Sequence, residues 1–310
     1  MKMMTMKKYL FVWAVLLSPL LVNAQQDAIY SQYMFNPFAI NPAYAGSRDA
    51  LSGVLLMREQ WRGIEGAPST QTFSLHSPIG GNKMALGLNL FNDGVGPTKN
   101  TGALASYAYH LRLGKLKLSF GIRGGIFNSR LDRSKLNYQN QADRFNNTGT
   151  VNTIVPTFDF GSYLYSKRFF AGLSVSHLLE NQINYPNFPS DAYVVMRRHF
   201  MFTSGAALPL GKNTVIKPSI LVKYVENAPV NFDINTSFLF NKVFWLGASY
   251  RSGNGIVLIT EYNITDFIRI GYSYDIVMNP LKQFTTGTHE IMAGFDLNLK
   301  KTKSVSPRYL

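Results

Sequence analysis

The sequence predicts an all-β chain: a transmembrane antiparallel β-barrel of about 14 strands, preceded by an irregular N-terminal plug-like segment. Three observations carry this prediction. An export signal opens the chain, and no second apolar helix follows it. Charged residues are only 15% of the sequence while aromatics reach 14%, with 17 Tyr and 22 Phe. An ordinary soluble protein carries ~25% charged residues. Third, segment after segment alternates apolar and polar side chains with a period of two, the pattern of a strand whose two faces meet different media.

The first element is the signal. Lys2, Lys7 and Lys8 precede the apolar run "YLFVWAVLLSPLLV", and "NAQQ" follows. A basic stretch, a short apolar stretch and Ala before a polar residue describe a secretory signal peptide, residues 1–24, with cleavage after Ala24. The run is shorter than the ~20 residues a spanning helix needs, and Pro19 interrupts it, so a retained anchor fits less well. The chain contains no Cys, which excludes a lipid-anchored lipoprotein and a disulfide framework.

The second element, residues 25–48, holds "YSQYMFNPFAINPAYAG" from Tyr30 to Gly46. Asn36-Pro37 and Asn41-Pro42 bias the chain away from helix, so turns and extended pieces are expected. Tyr30, Tyr33, Met34, Phe35, Phe38 and Tyr44 make the stretch too greasy to be left in water. It either packs into the barrel mouth as a plug or docks a partner on the periplasmic side. Tyr30, Tyr33, Phe35, Asn36, Pro37, Phe38, Asn41, Pro42 and Tyr44 are the candidate contacts.

Residues 49–300 supply the strands, expected near 50–58, 69–77, 83–91, 101–111, 115–127, 153–165, 168–178, 196–208, 214–225, 230–241, 242–250, 256–264, 267–276 and 288–299. Four show the alternation well. Lys115, Lys117, Ser119, Gly121 and Arg123 oppose Leu116, Leu118, Phe120 and Ile122. Asn231, Asp233, Asn235, Ser237 and Asn241 oppose Val230, Phe232, Ile234, Phe238 and Phe240. Arg269, Gly271, Ser273 and Asp275 oppose Ile268, Ile270, Tyr272 and Tyr274. Glu290, Asp296, Asn298 and Lys300 oppose Ile291, Phe295, Leu297 and Leu299. Lipid does not tolerate the charged face, so that face borders an enclosed interior.

Every second connection is short: 79–82, around Gly114, at Ser166, from Leu210, at Asn241–Lys242 and at Thr265. Longer ones are expected at 59–68, 92–100, 128–152, 179–195 and 277–287, with brief ones from Glu226 and Ser252. Short turns belong to the periplasmic end of such barrels and long loops to the outside. An even strand count then leaves both chain termini periplasmic, with residues 301–310 as a C-terminal tail. Trp61, Tyr107, Tyr109, Tyr163, Tyr165, Trp245, Tyr250, Tyr272 and Tyr274 fall near strand ends and suit an interfacial aromatic girdle. A β-sandwich would not need polar residues on the second face of nearly every strand.

Catalysis finds no support in the residues. His76, His110, His177, His199 and His289 are scattered one to a strand, and no zinc spacing or nucleophile signature appears. His289 and Glu290 are adjacent and so face opposite sides of a strand. The Gly-rich stretches at Ile79 and Ser252 read as turns, and the sequon at Asn146 as a chance match. No enzyme, cofactor or metal site is expected. The net charge is +14, and +11 once the three signal lysines are set aside. Export and the lack of a basic run argue against nucleic acid and for lipid phosphates or an acidic partner. Arg58, Gln60, Trp61 and Arg62, in "REQWRGIEGAPSTQ", suit a compact folded loop. Arg130, Arg133, Lys135 and Arg144, mixed with Asp132 and Asp143, give loop 128–152 a polar surface with excess positive charge.

"YSQYMFNPFAINPAYAG", "REQWRGIEGAPSTQTFSLHSPI" and "THEIMAGFDL" together resemble the PorP/SprF proteins of the type IX secretion system of Bacteroidota, over nearly the whole mature chain. That resemblance implies an outer-membrane component linked to protein secretion and gliding motility. Its expected partners are other type IX components and a secreted, adhesin-type surface protein that it receives or anchors, with loops 128–152 and 179–195 as the cargo contacts. A structural link to the periplasmic secretion and gliding motor ring is the alternative, and a hydrophobic-solute channel is another. The chain departs from many barrels in running past Lys300 as "KTKSVSPRYL", which leaves Tyr309 or Phe295 as the candidate terminal aromatic.

Overall fold

The computed structural model of the chain describes residues 30–136, 149–186, 188 and 193–298. The signal peptide, residues 25–29, Arg144, Asn146 and the tail with Tyr309 lie outside the described residues.

Seventeen strands occur among the described residues. They are β1 (Leu51–Glu59), β2 (Ser69–Ile79), β3 (Met84–Val95), β4 (Thr98–Leu113), β5 (Leu116–Asp132), β6 (Thr150–Tyr165) and β7 (Phe169–Ser176). Next come β8 (Gln182–Asn184), β9 (Tyr193–Val195), β10 (His199–Ala206), β11 (Leu208–Leu210) and β12 (Thr214–Val225). The last are β13 (Asn231–Phe240), β14 (Phe244–Arg251), β15 (Gly255–Asn263), β16 (Ile268–Val277) and β17 (Thr288–Leu297). Consecutive wall strands pair antiparallel. β1 pairs with β17 from Leu51↔Leu297 to Glu59↔His289, and β10 pairs with β12, so the sheet closes on itself. β11 continues β10 past a break at Ala207 and also pairs with β12. The break falls beside Pro218, which has no N–H to give to the ladder. With β10 and β11 counted as one, the closed barrel has 14 strands, as the alternation predicts. The β8–β9 hairpin stands apart from the wall.

Alternation places the side chains as expected. Ser119, Arg123, Asp233, Asn235, Ser237, Arg269, Ser273, Asp275 and Glu290 are buried inside. Leu116, Phe120, Ile122, Ile234, Phe240, Ile268, Ile270, Tyr272 and Ile291 are exposed on the outer wall. Such a continuous apolar outer face fits hydrocarbon as its solvent.

The barrel rim is uneven. β4, β5 and β6 run 16, 17 and 16 residues, whereas β14 and β15 run 8 and 9. A tilted strand needs only ~9–11 residues to cross a bilayer, so the β3–β6 side projects beyond it. This corrects two expected loops. Residues 92–100 do not form a long loop, because β3 reaches Val95 and β4 begins at Thr98, leaving Gly96-Pro97 as the turn. Residues 128–132 and 150–152 are strand rather than loop. Alternation persists above the membrane because the inner face of the projecting wall is still covered. Phe127, Val155, Ile183 and Met196 form a buried cluster there, with Phe91 and Tyr185 against it.

The girdle assignment is also corrected in part. Tyr107, Tyr109, Tyr250 and Tyr272 face outward, but Tyr163, Tyr165 and Trp245 are buried inside the barrel. They share strand parity with Asp159, Gly161 and Arg251, which face inward. The interior attracts these rings because it is filled by protein, not water.

Candidate functional site: the occupied lumen and its rim

The chain from Tyr30 to Arg48 runs the length of the lumen. Two short 3-10 turns, Pro37–Ala39 and Pro42–Tyr44, each begin at the Pro after an Asn. Asn41 caps the second by accepting the Ala43 N–H at 2.9 Å. Proline at the first helical position and the short repeated turns keep the segment compact enough to fit between opposite walls.

Its first residues sit at the loop-bearing end. The Ser31 and Gln32 N–H groups donate to the two carboxylate oxygens of Glu290, each at 2.8 Å. Arg58 donates to Glu290 at 3.0 Å, to Asp275 at 2.8 Å and to the Ser31 hydroxyl at 2.7 Å. Arg251 joins Asp275 at 3.1 Å to Asp233 at 3.0 Å and also reaches the Tyr30 carbonyl at 3.4 Å. Every one of these wall charges is buried. Charges taken out of water are tolerable only when paired and hydrogen-bonded, and here Ser31 and two backbone amides add to the pairing among the wall charges.

Midway, apolar rings and carbonyls dominate. Tyr33, Met34, Phe35 and Ile40 pack with Leu221, Leu239, Trp245, Val257, Ile259 and Met292 from the far walls. Phe35 and Trp245 have ring centroids 5.8 Å apart. Phe38, fully buried, meets the His76 ring at 5.0 Å and covers Gly87, where a β-carbon would strike it. The segment's carbonyls find donors on the wall: Lys217 at Met34, Arg123 at Phe38 and Ala39, Ser174 at Ile40 and Ser119 at Ala43. Arg123 is itself held by Asp159 at 2.6 Å. The Asn36 amide donates to Ser74, and the Asn41 amide donates to the carbonyls of Ser162 and Leu173. Gly121 lies against the backbone of Pro42 and Ala43, and Gly161 against the Asn41 side chain. A side chain at either place would occupy space the segment already fills.

The last residues sit at the turn end. His76 Nδ1 accepts the Gly46 N–H at 3.1 Å. His110 Nε2 donates to the Ala45 carbonyl at 2.9 Å, and its Nδ1 meets the Tyr165 hydroxyl at 3.1 Å. Arg48 donates to Asp296 at 2.8 Å and to the Tyr44 hydroxyl at 3.0 Å; Arg269 also bonds Asp296. The chain enters β1 at this end, so Tyr30 and Leu51 stand at opposite ends of the bore.

The nine aromatic, Asn and Pro residues singled out in the segment thus gather inside one lumen. The folded-loop set divides. Arg58 is not on the loop; it is a β1 side chain turned inward and 2% exposed. Its place one residue before the strand end hid its parity. Gln60, Trp61 and Arg62 do lie on a compact loop, which is docked on the β16–β17 connection. The Trp61 N–H donates to the Thr288 hydroxyl at 3.0 Å, the Arg62 N–H to the Gly287 carbonyl at 2.9 Å, and the Thr286 N–H to the Arg62 carbonyl at 2.9 Å. The cargo-loop set also divides. Arg130 is an exposed β5 residue reaching Thr150 at 3.3 Å, Arg133 is buried in a 3-10 turn, and Lys135 is exposed beside it. Arg123, Asp159, Arg251, Asp275 and Glu290 hold the segment; the sequence marks Arg123, Asp275 and Glu290 only as inward-facing and does not single out Asp159 or Arg251. Among the described residues, no group of three or more His, Asp or Glu is placed to hold a metal ion.

Fold and outer face define an outer-membrane β-barrel. The Ralstonia pickettii toluene transporter TbuX superimposes with a TM-score of 0.51 at 10% identity, over 83% of this chain and 92% of that chain. A Pseudomonas aeruginosa FadL homologue gives 0.49 at 11% identity, over 83% and 92%. The Acinetobacter baumannii outer membrane protein Omp33 gives 0.45 at 11% identity, over 81% and 100%. At such identities the likeness is one of fold alone. No curated protein matches the chain in sequence. Residues 22–295 match the family described as type IX secretion system membrane protein PorP/SprF, and the chain belongs to that family. It is accordingly a membrane component of the type IX secretion system, placed in the outer membrane.

Proposed function

We propose that this barrel is a closed, non-enzymatic anchor: it receives or retains a secreted, adhesin-type surface protein at its loop-bearing rim rather than passing it through the bore. The observation that supports this reading is the burial of residues 31–48 across the lumen, bonded to inward side chains on nearly every side. In this reading residues 25–48 act as a plug. A conduit for cargo would have to expel that segment, leaving Glu290 without the Ser31 and Gln32 amides and Asp275 without the Ser31 hydroxyl. A hydrophobic-solute channel would need a path where Phe38, Tyr44 and Tyr163 pack. A motor link through Tyr33, Phe35 or Phe38 would need those side chains to leave their pockets. The projecting β3–β6 wall, the docked 60–68 loop and the β8–β9 hairpin offer the alternative surface, with Arg130 and Lys135 exposed on it.

Deleting the gene tests the proposal through the surface proteome of the cell. One surface protein should disappear from the envelope. The intact chain should restore it, and a chain with residues 133–149 shortened to a tight turn should not. An unchanged surface proteome in the deletion strain would refute the proposal.

A further inference from the structure

Among the described residues, the turn end of the barrel carries a ring of positive charge with few acidic partners. Five of its six short connections bear a cation at or beside the tip: Lys83, Lys115, Lys167 with Arg168, Lys212 and Lys242. Arg112 and Lys117 stand just inside the β4–β5 turn. Of these groups only Lys117 has an ion pair with a described residue, Asp49 at 3.6 Å, and the sixth connection offers Asp266. The loop end differs. There Arg197 faces Glu226 at 3.5 Å, Arg198 faces Glu180 at 3.3 Å, and Glu59 and Glu65 are exposed beside Arg62. Adjacent turns are two strands apart, roughly 10 Å before tilt, which is about one Debye length in physiological salt. Among the described residues only Asp49 and Asp266 bring acid to this group of cations, so positive charge is in excess there and invites a counter-charge from outside.

The geometry says which. The turns are so short that each cation stands within a few residues of a side chain on the hydrocarbon face: Ile79, Leu113 and Leu116, Phe169, Leu210, and Val243 with Phe244, all exposed. Cations held that close to the end of the apolar wall lie at headgroup depth, not out in the aqueous space where a soluble acidic protein would meet them. We propose that the turn-end ring binds the phosphates of anionic phospholipids in the leaflet bordering that end. Juxtamembrane Lys and Arg are attracted to anionic lipid individually and additively. Because short turns mark the periplasmic end, the ring sits in the phospholipid leaflet and away from lipopolysaccharide. The lipid would thereby fix the depth and tilt of a barrel whose opposite rim is uneven.

The test uses the full chain purified in mild detergent and reconstituted in nanodiscs of equal parts phosphatidylglycerol and phosphatidylcholine. Lipid that co-purifies after delipidation is quantified by mass spectrometry. Three chains are compared: the native one, one with Lys83, Lys115, Lys167, Lys212 and Lys242 all changed to Gln, and one with Arg62, Lys99, Arg130, Arg197 and Arg198 all changed to Gln. All three must show the heat-modifiable gel shift of a folded barrel. A single Lys212→Gln chain replaces the fivefold one if that fails. The native chain should enrich phosphatidylglycerol at least tenfold over phosphatidylcholine, the turn-end variant should lose most of that enrichment, and the loop-end variant should keep it. For the single variant the expected change is about twofold. No enrichment in the native chain, or equal loss in the two variants, would overturn the proposal. So would a turn-end variant that loses only added lipopolysaccharide, or only an acidic periplasmic protein.

Discussion

Glu290 is the point at which the lumen segment depends most on one side chain. Both its oxygens accept backbone N–H groups, from Ser31 and Gln32 at 2.8 Å, while Arg58 donates to one of them at 3.0 Å. In Glu290→Gln one oxygen survives and keeps one amide. The new NH₂ group points a donor at the other amide, leaving a buried donor unsatisfied at about 1–3 kcal/mol. Arg58 keeps Asp275 but loses its second carboxylate, so part of the ~3–5 kcal/mol cost of breaking a buried pair is added. A combined loss of about 3 kcal/mol raises the population with a displaced segment roughly a hundredfold, at tenfold per 1.4 kcal/mol. The absence of Cys makes the assay clean. Met34, 2% exposed, is changed to Cys in both backgrounds, and maleimide labelling is timed in folded, detergent-held barrels. Labelling through local opening reports the opening equilibrium. Adding Arg58→Met to Glu290→Gln should give less than the sum of the two single effects, because the residues share one network. Labelling rates that agree within about threefold with and without Glu290→Gln would refute the assignment of the segment to this carboxylate.

Two further outcomes follow from the same contacts. Gly121→Val places a side chain against the backbone of Pro42 and Ala43; it should cost at least the ~1–3 kcal/mol of an overpacked core, read as a lower urea midpoint for the folded band on gels. Thr288→Val removes the acceptor of the Trp61 N–H. The loss of about 1 kcal/mol should speed hydrogen exchange at Trp61 about fivefold, with β1 amides below it unchanged.

The wall was legible because each strand separates two media, and alternation records that separation residue by residue. The count survived for this reason, even at the brief connections after Glu226 and Ser252. What alternation could not record was the content of the interior. Arg58, Asp275 and Glu290 would serve equally as lumen-lining charges in water or as partners for a buried segment, and only their contacts decide between the two. The same gap misplaced Tyr163, Tyr165 and Trp245. Their residue type suggested an interface with lipid, while their parity with Asp159 and Arg251 already pointed inward. Proximity to a strand end is a weaker signal than parity where the interior is packed. The extra height of β3–β6 was hidden because Gly96-Pro97 looks like the middle of a loop until the strands on either side are seen to pair to its edge. The greasy segment from Tyr30 was conspicuous in sequence. Its direction, with Tyr30 at the loop end and Arg48 at the turn end, follows from long-range bonds that no local pattern reveals.

We propose that residues 31–48 hold the bore of this type IX component shut. Single-channel recording of the full chain in planar bilayers tests it most directly. A chain lacking residues 30–46, shown to be folded by its gel shift, serves as the open reference. A closed bore gives a flat baseline for the full chain and discrete ion currents for the shortened one. Steady porin-sized currents from the full chain would contradict it.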